Sequence, residues 1–305
     1  MSKLGLVLEG GGMRGIYTAG VLDFFMEQNL YTDGVIGVSA GACHACSYVS
    51  KQIGRAYRTN TAYLKDKRYM SVSSLLKTGD FFGAKFVYED IPNTLDPYDF
   101  DAFNTSHTKL YAVASNLETG KAEYLQCINM KRDVIYVRAS ASLPLLSRIV
   151  EVDGKKLLDG GATDSIPIHK FQEMGYTKNI VVLTQCKEYR KGKNNLLPMI
   201  RRSYKKYPKF IKALETRHIA YNRTLDELAL MEKEGSVFLI RPSSPVEISR
   251  LEKNEARLRE LYEQGYMDAK NSFEELKSFI APETKTTDAT ERRIKKMSDK
   301  READR

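Results

Sequence analysis

Apolar positions along the chain fall into two alternating rhythms. Residues 4–8 (LGLVL) form an unbroken apolar run, the length of a strand buried on both faces. Residues 15–28 follow, with Ile16, Ala19, Val21, Leu22, Phe25 and Met26 near helical spacing. A second short apolar run occupies 35–38, and 40–50 reads as a helix. This strand–helix–strand–helix order predicts a parallel sheet covered by helices on both faces. The middle of the chain changes rhythm. Runs at 110–115 and 122–126 flank Glu118-Thr119-Gly120-Lys121, and runs at 150–152 and 155–158 flank Asp153-Gly154. Both read as hairpins, the second on a strong tight-turn signal. A further strand spans 180–184. Beyond it the chain is mainly helical and charged, apart from a strand at 237–240. The expected fold is therefore α/β, a doubly wound, mainly parallel sheet with helices on both faces. Residues 1–186 make its core, 187–281 a mainly helical C-terminal appendage packed on that core, and 282–305 a polar tail, frayed or disordered.

Composition leaves this picture intact and adds one feature. With 305 residues, 42% hydrophobic and 29% charged, the chain has the make-up of a globular protein with a sizeable core. No apolar stretch approaches the ~18 residues that cross a bilayer, and the first nine residues lack a signal-peptide core. A cytoplasmic protein is expected, with peripheral membrane contact as its one route to a lipid surface. Four cysteines without a secretory signal read as thiols. Charge is concentrated. Between residues 187 and 217 eleven Lys and Arg stand against two acids, an excess equal to the net +9 of the whole chain. Such a segment is either a solvated face or an attractor for anionic surfaces such as phospholipid headgroups or nucleic acid. Residues 196–214 have interfacial character, but Pro208 breaks any helix there into short pieces.

Three motifs carry chemistry. Glu9-Gly10-Gly11-Gly12-Met13-Arg14-Gly15 sits where a strand ends and a helix begins. Glycines there let the backbone approach a ligand, and free amides converge on an anion, either a phosphate or a reaction-intermediate oxygen. Gly10, Gly12 and Gly15 also fit the dinucleotide pattern G-x-G-x-x-G, but the second strand ends in Ser39 where that reading wants an acid. Gly37-Val38-Ser39-Ala40-Gly41 is a G-x-S-x-G nucleophile elbow at a second strand-to-helix junction. A nucleophilic serine needs a base and its oxyanion needs donors. Amides around Gly11 and Gly12 are the candidate donors. Asp159, followed by Gly160 and Gly161 at the end of an apolar strand, is the candidate base.

Rival assignments remain open on the residues alone. Ser39, Asp159 and His169 follow the chain order of an α/β-hydrolase triad, although His169 reads as a helix-start residue. Cys43-x-x-Cys46 lies a full turn inside the helix after Ser39, which suits buried core thiols better than a redox pair. The remaining histidines and cysteines show no metal-ligand spacing, so no metal and no cofactor is expected. A non-enzymatic nucleotide- or nucleic-acid-binding module would use the same glycine loop and the basic segment.

Taken together, GGGMRG, GVSAG and DGG, with RASASLP at 138–144 ahead of the last, resemble the patatin-like phospholipase family over roughly residues 4–186. The resemblance implies a Ser39–Asp159 dyad without histidine. It also implies an oxyanion loop of Gly10, Gly11, Gly12 and Gly15, with Arg14, Gly37, Gly41, Gly160 and Gly161 as supporting motif residues. Hydrolysis of acyl esters in phospholipids or other lipids follows from it, with no metal and no nucleic-acid partner. An anionic membrane touched through residues 187–217 is the further partner expected.

Overall fold

The computed structural model describes residues 3–281; the expected polar tail, 282–305, lies outside the described residues. Eight strands form one sheet: β1 (Leu4–Leu8), β2 (Gly34–Val38), β3 (Lys109–Asn116), β4 (Ala122–Cys127), β5 (Val150–Val152), β6 (Lys155–Asp159), β7 (Lys178–Val182) and β8 (Val237–Ile240). The helices are α1 (Ile16–Glu27), α2 (Ala40–Val49), α3 (Arg55–Thr61), α4 (Val72–Thr78), α5 (Phe100–Asn104), α6 (Met130–Ser140), α7 (Ile168–Glu173), α8 (Leu197–Ser203), α9 (Pro208–Lys233), α10 (Glu255–Asn271) and α11 (Phe273–Ile280). Strand order is β5-β6-β3-β2-β1-β7-β8, with β4 also on β3. The five strands from β3 to β8 run parallel. The two expected hairpins, β3–β4 and β5–β6, extend the sheet antiparallel at one end.

Burial on both faces explains the unbroken apolar runs. Leu6 and Leu8 pack into one hydrophobic cluster with α1, α2 and α10, while Val7 between them joins the opposite cluster with α7 and α9. The same alternation divides Val35 from Ile36, and Ile180 from Val181. Helix α1 is buried on every side from Ile16 to Met26, so it lies inside the protein rather than on it.

Residues after Cys186 complete this layered structure. Strand β8 adds a fifth parallel strand, and α9 covers one face of the sheet through Tyr221 and Leu228. Helix α10 lies on α1. The Tyr17 hydroxyl donates to Asp268 at 2.8 Å, and the Tyr262 hydroxyl to the buried Asp23 at 2.8 Å. The expected break at Pro208 occurs and α8 is short, but the second piece is not: Pro208 opens α9, where a missing N–H costs nothing, and that helix runs for 26 residues.

The α1–α10 crossing depends on two glycines. A Cβ on Gly20 would stand 2.1 Å from the Tyr262 carbonyl oxygen, and one on Gly265 2.0 Å from that of Tyr17. Gly265→Ala should therefore destabilise the protein by about 1–3 kcal/mol, the usual cost of overpacking. Gly192→Ala, where a Cβ would meet nothing within 4 Å, serves as the control. Thermal melts should show a lowered Tm for the first variant alone; equal Tm values would mean that the helices can part without cost.

Candidate active site

The site forms where two strands meet head to head along one edge of β3. Val38, the last residue of β2, pairs with Val113, and Asp159, the last of β6, pairs with the next residue, Ala114. The opposite edge of Val113 and Ala114 is taken by β4. Strands β2 and β6 therefore share an edge and approach from opposite directions, which brings Ser39 and Asp159 together from 120 positions apart in the sequence.

Ser39 turns β2 into α2 with φ 55° and ψ −123°, a sparsely populated backbone conformation of the kind that costs about 1–3 kcal/mol. Tight packing holds it there. A side chain at Gly37 would strike Ala42, and one at Gly41 would strike the Leu8 carbonyl. The segment 138–144 braces both partners: Ser140 Oγ accepts the Ser39 N–H at 2.9 Å, and the Ser142 carbonyl accepts the Asp159 N–H at 2.7 Å. Sequence reading left those two serines without a role.

Asp159 is 5% exposed. Its Oδ1 accepts the Gly161 N–H at 2.8 Å, while Oδ2 is buried without a hydrogen-bond partner. Burial pushes this carboxyl above its ordinary range. The Ser39 hydroxyl opposes that shift most, followed by Arg217, the Gly161 amide and Arg250. Gly160 lies against the Val113 carbonyl, and Gly161 against the Arg217 guanidinium, where a side chain on either would collide.

The glycine loop crosses directly over Ser39. A Cβ on Gly10 would stand 2.9 Å from that of Ser39. Gly12 has φ +57° and opens a 3-10 turn that leads into α1. Gly11 packs on Thr184 and Gly15 on Ala40. The loop is anchored at both ends. Met13 N–H donates to the Arg250 carbonyl at 3.1 Å, and buried Glu9 accepts from Thr184 and from the Tyr221 hydroxyl. Arg14 is partly buried, and its Nε has no partner.

A cavity of about 440 Å³ opens beside Ser39 and Gly12. Its walls are mainly apolar, from Cys43 in α2, Val134 in α6, and Tyr88 and Ile91 in the π-helical segment Phe86–Leu95. That wall carried no sequence motif, because it is assembled from separate stretches of chain. Cys43 is half-buried at the cavity wall and Cys46 is buried; desolvation pushes the Cys43 thiol up to about 11 and raises that of Cys46, so neither is a ready thiolate. Among the described residues no cluster of potential metal ligands occurs. His169 stands apart in α7, half exposed, with Nε2 2.7 Å from Glu227.

The basic segment divides. Arg190 pairs with Asp226 and Arg201 with Glu215, while Arg202, Lys205, Lys206 and Lys209 are exposed. Lys191 and Arg217 turn inward. Arg217 interrupts the buried stripe of α9 (Phe210, Leu214, Tyr221, Leu228), and that position was the signal for an inward cation.

Residues 207–281 match a domain of unknown function (DUF6363). The uncharacterized protein YjjU of Escherichia coli K12 is 28% identical over 188 residues, which cover 60% of this chain and 52% of YjjU. Lysophospholipase NTE1 of Meyerozyma guilliermondii is 24% identical over 296 residues, covering 90% of this chain but 19% of that protein. Lysophospholipase nte1 of Emericella nidulans is 31% identical over 183 residues, 56% of this chain and 11% of its own. The chain thus spans about half the length of YjjU and a fifth or less of these fungal relatives. VipD of Legionella pneumophila superposes on 90% of this chain and 67% of its own, with a TM-score of 0.45 and 12% identity. Residues 6–171, more than half of the chain, match the family described as patatin-like phospholipase, and the chain belongs to that family.

Proposed function

We propose that the chain is a serine acyl hydrolase of lipid esters that works through a Ser39–Asp159 dyad. The observation that carries this reading is the meeting of a strained serine with an unpartnered carboxylate oxygen at an apolar cavity. The acyl chain lies in that cavity, and the ester carbonyl rests over Ser39. Asp159 takes the hydroxyl proton as Ser39 Oγ attacks the carbonyl carbon. Negative charge then builds on the carbonyl oxygen. The amides of Gly10, Gly11 and Gly12, with that of Ala40 at the start of α2, are the donors for it. Collapse of the intermediate expels the alcohol, which receives the proton from Asp159. Water, deprotonated by the same carboxylate, then releases the fatty acid. His169 takes no part, since its ring is engaged with Glu227 at the surface. Lysophospholipase relatives support the lipid substrate class.

Ser39→Ala and Asp159→Asn should each abolish turnover of a soluble p-nitrophenyl ester, the second by about 10²–10⁴-fold, the usual cost of losing a positioned base. His169→Ala should change kcat/KM less than about tenfold, which is ~1.4 kcal/mol. Collapse of the His169 variant with a normal melt would establish a triad instead.

The pH profile carries a second expectation. Asp159 must be ionised to act, and its folded value is raised, so activity is lost as pH falls through that raised value. The acid limb of kcat/KM should lie above the ~3.9 of an ordinary aspartate. Because Arg217 opposes the shift, Arg217→Gln should move the limb to still higher pH. A limb at the ordinary value in both proteins would remove Asp159 from the base's role.

No helix among the described residues is long and apolar enough to cross a membrane. Contact with lipid is proposed to be peripheral, through exposed Leu196 and Met199 beside the exposed cations Arg202, Lys205, Lys206 and Lys209. Replacing Arg202, Lys205, Lys206 and Lys209 with Gln should weaken binding to anionic vesicles, most visibly at low salt, where screening over ~10 Å is relaxed. Equal vesicle binding by both proteins would make these charges a solvated face only.

A further inference from the structure

The active site has two sides. The apolar cavity lies with α2, α3 and α6 on one face of the sheet, whereas Tyr189, Tyr221 and α9 pack on the other. Ser39 sits at the C-terminal end of the interior strand β2, between them. An ester whose acyl chain fills the cavity directs its alcohol toward the second side.

That second side gathers four cations, Arg14, Lys191, Arg217 and Arg250. Each lies within electrostatic range of others in the group, and Lys191 feels all three of its companions. The Arg217 guanidinium lies against Gly161, whose N–H donates to Asp159, and Arg250 lies against Gly12, which places the cluster next to the dyad. Its internal counter-charge is already engaged. Glu9 Oε1 accepts from the Tyr221 hydroxyl at 2.7 Å, and Oε2 from the Thr184 N–H at 2.8 Å and hydroxyl at 3.1 Å. None of the four cations is in an ion pair among the described residues, unlike Arg190 and Arg201 nearby. Arg14 Nε is buried without a partner, and Arg217 makes only 3.4 Å contacts to Ser165 Oγ. Lys191 Nζ lies 4.0 Å from the Tyr221 ring centroid. Burial first, and then these neighbours, push its ammonium down to about 7. Like charges held together in partial burial repel one another until an anion joins them. Guanidinium groups and an ammonium with free donors match the oxygens of a phosphate.

We propose that Arg14, Lys191, Arg217 and Arg250 form a phosphate-binding subsite for the alcohol side of the substrate, so that the preferred ester is one whose leaving alcohol carries a phosphate, as in a lysophospholipid. This assignment rests on the Ser39–Asp159 reading above. The reaction balances as hydrolysis. Water adds to the acyl carbon, the acyl C–O bond breaks, and the proton passes to the departing alkoxide, giving a fatty acid and a phosphorylated alcohol. Three of the four cations come from the chain beyond residue 186, so the C-terminal region sets headgroup preference.

The test uses binding, which needs no turnover. The full chain carrying Ser39→Ala is titrated calorimetrically with lauroyl lysophosphatidic acid and with monolauroylglycerol, both below their aggregation concentrations. The two lipids differ only in the phosphate. The phosphate-bearing lipid should bind at least about tenfold tighter, the yield of a few charge-assisted hydrogen bonds. Lys191→Gln and Arg250→Gln, each added to Ser39→Ala and each with a normal melt, should remove most of that preference, and Arg250→Lys should restore part of it. Equal affinity for the two lipids, or a preference that survives both substitutions, would overturn the subsite. Displacement of the lipid by inorganic phosphate at equal concentration would overturn it too, by making this a site for the free ion. The hydrolase reading fails separately: wild-type protein that binds with the stated preference yet cleaves neither lipid would leave the phosphate site standing and the dyad refuted.

Discussion

Everything chemical in this molecule depends on one constraint of sheet register. Strands β2 and β6 occupy the same edge of β3 from opposite directions, and their last residues pair with neighbours, Val113 and Ala114. A slip of one residue in either ladder would turn its side chains to the other face of the sheet. The hydrophobic pattern prevents that slip. Val38 and Val113 are committed to one core cluster and Leu110 and Ala112 to the opposite one. The meeting of Ser39 with Asp159 is therefore fixed by backbone hydrogen bonds and core packing, with Ser140 and Ser142 as local braces.

This explains which parts of the site were legible in the sequence. Elbow and glycine loop could be read because a tight strand-to-helix turn demands glycine at fixed offsets, and these demands are local. The central strands could be read because burial on both faces leaves unbroken apolar runs. Asp159 was legible only as a strand end followed by glycines; its pairing with Ala114 is a through-space fact. The cavity wall was not legible at all, since Cys43, Tyr88, Ile91 and Val134 converge from stretches with no common motif. Lys191 and Arg217 were hidden in a different way. They sit in a segment whose net charge suggests a uniform solvated surface, and only the spacing along α9 separates the inward arginine from its exposed neighbours.

Charge around the site is arranged in a graded way. Burial alone would drive Asp159 toward its neutral acid, and the nearby cations counter that tendency. The same cations crowd one another, and Lys191 yields first. Asp159 and the cationic side are thus coupled. Binding of an anion there would offset part of the positive field that favours the ionised Asp159 carboxylate, so anion binding and the charge of Asp159 draw on the same cations.

The α1–α10 crossing has a consequence for how the chain reaches this state. Tyr262 bonds to Asp23 across 239 residues of sequence, and Asp268 to Tyr17 across 251. Helix α1 is buried around its whole circumference and cannot be fully covered until α10 has been made. At ~5–20 residues per second, a ribosome supplies that cover roughly 10–50 s after α1 has emerged. For that interval the nascent protein carries a helix whose α10 side is open, with large apolar side chains exposed, a surface of the kind that holdase chaperones cover.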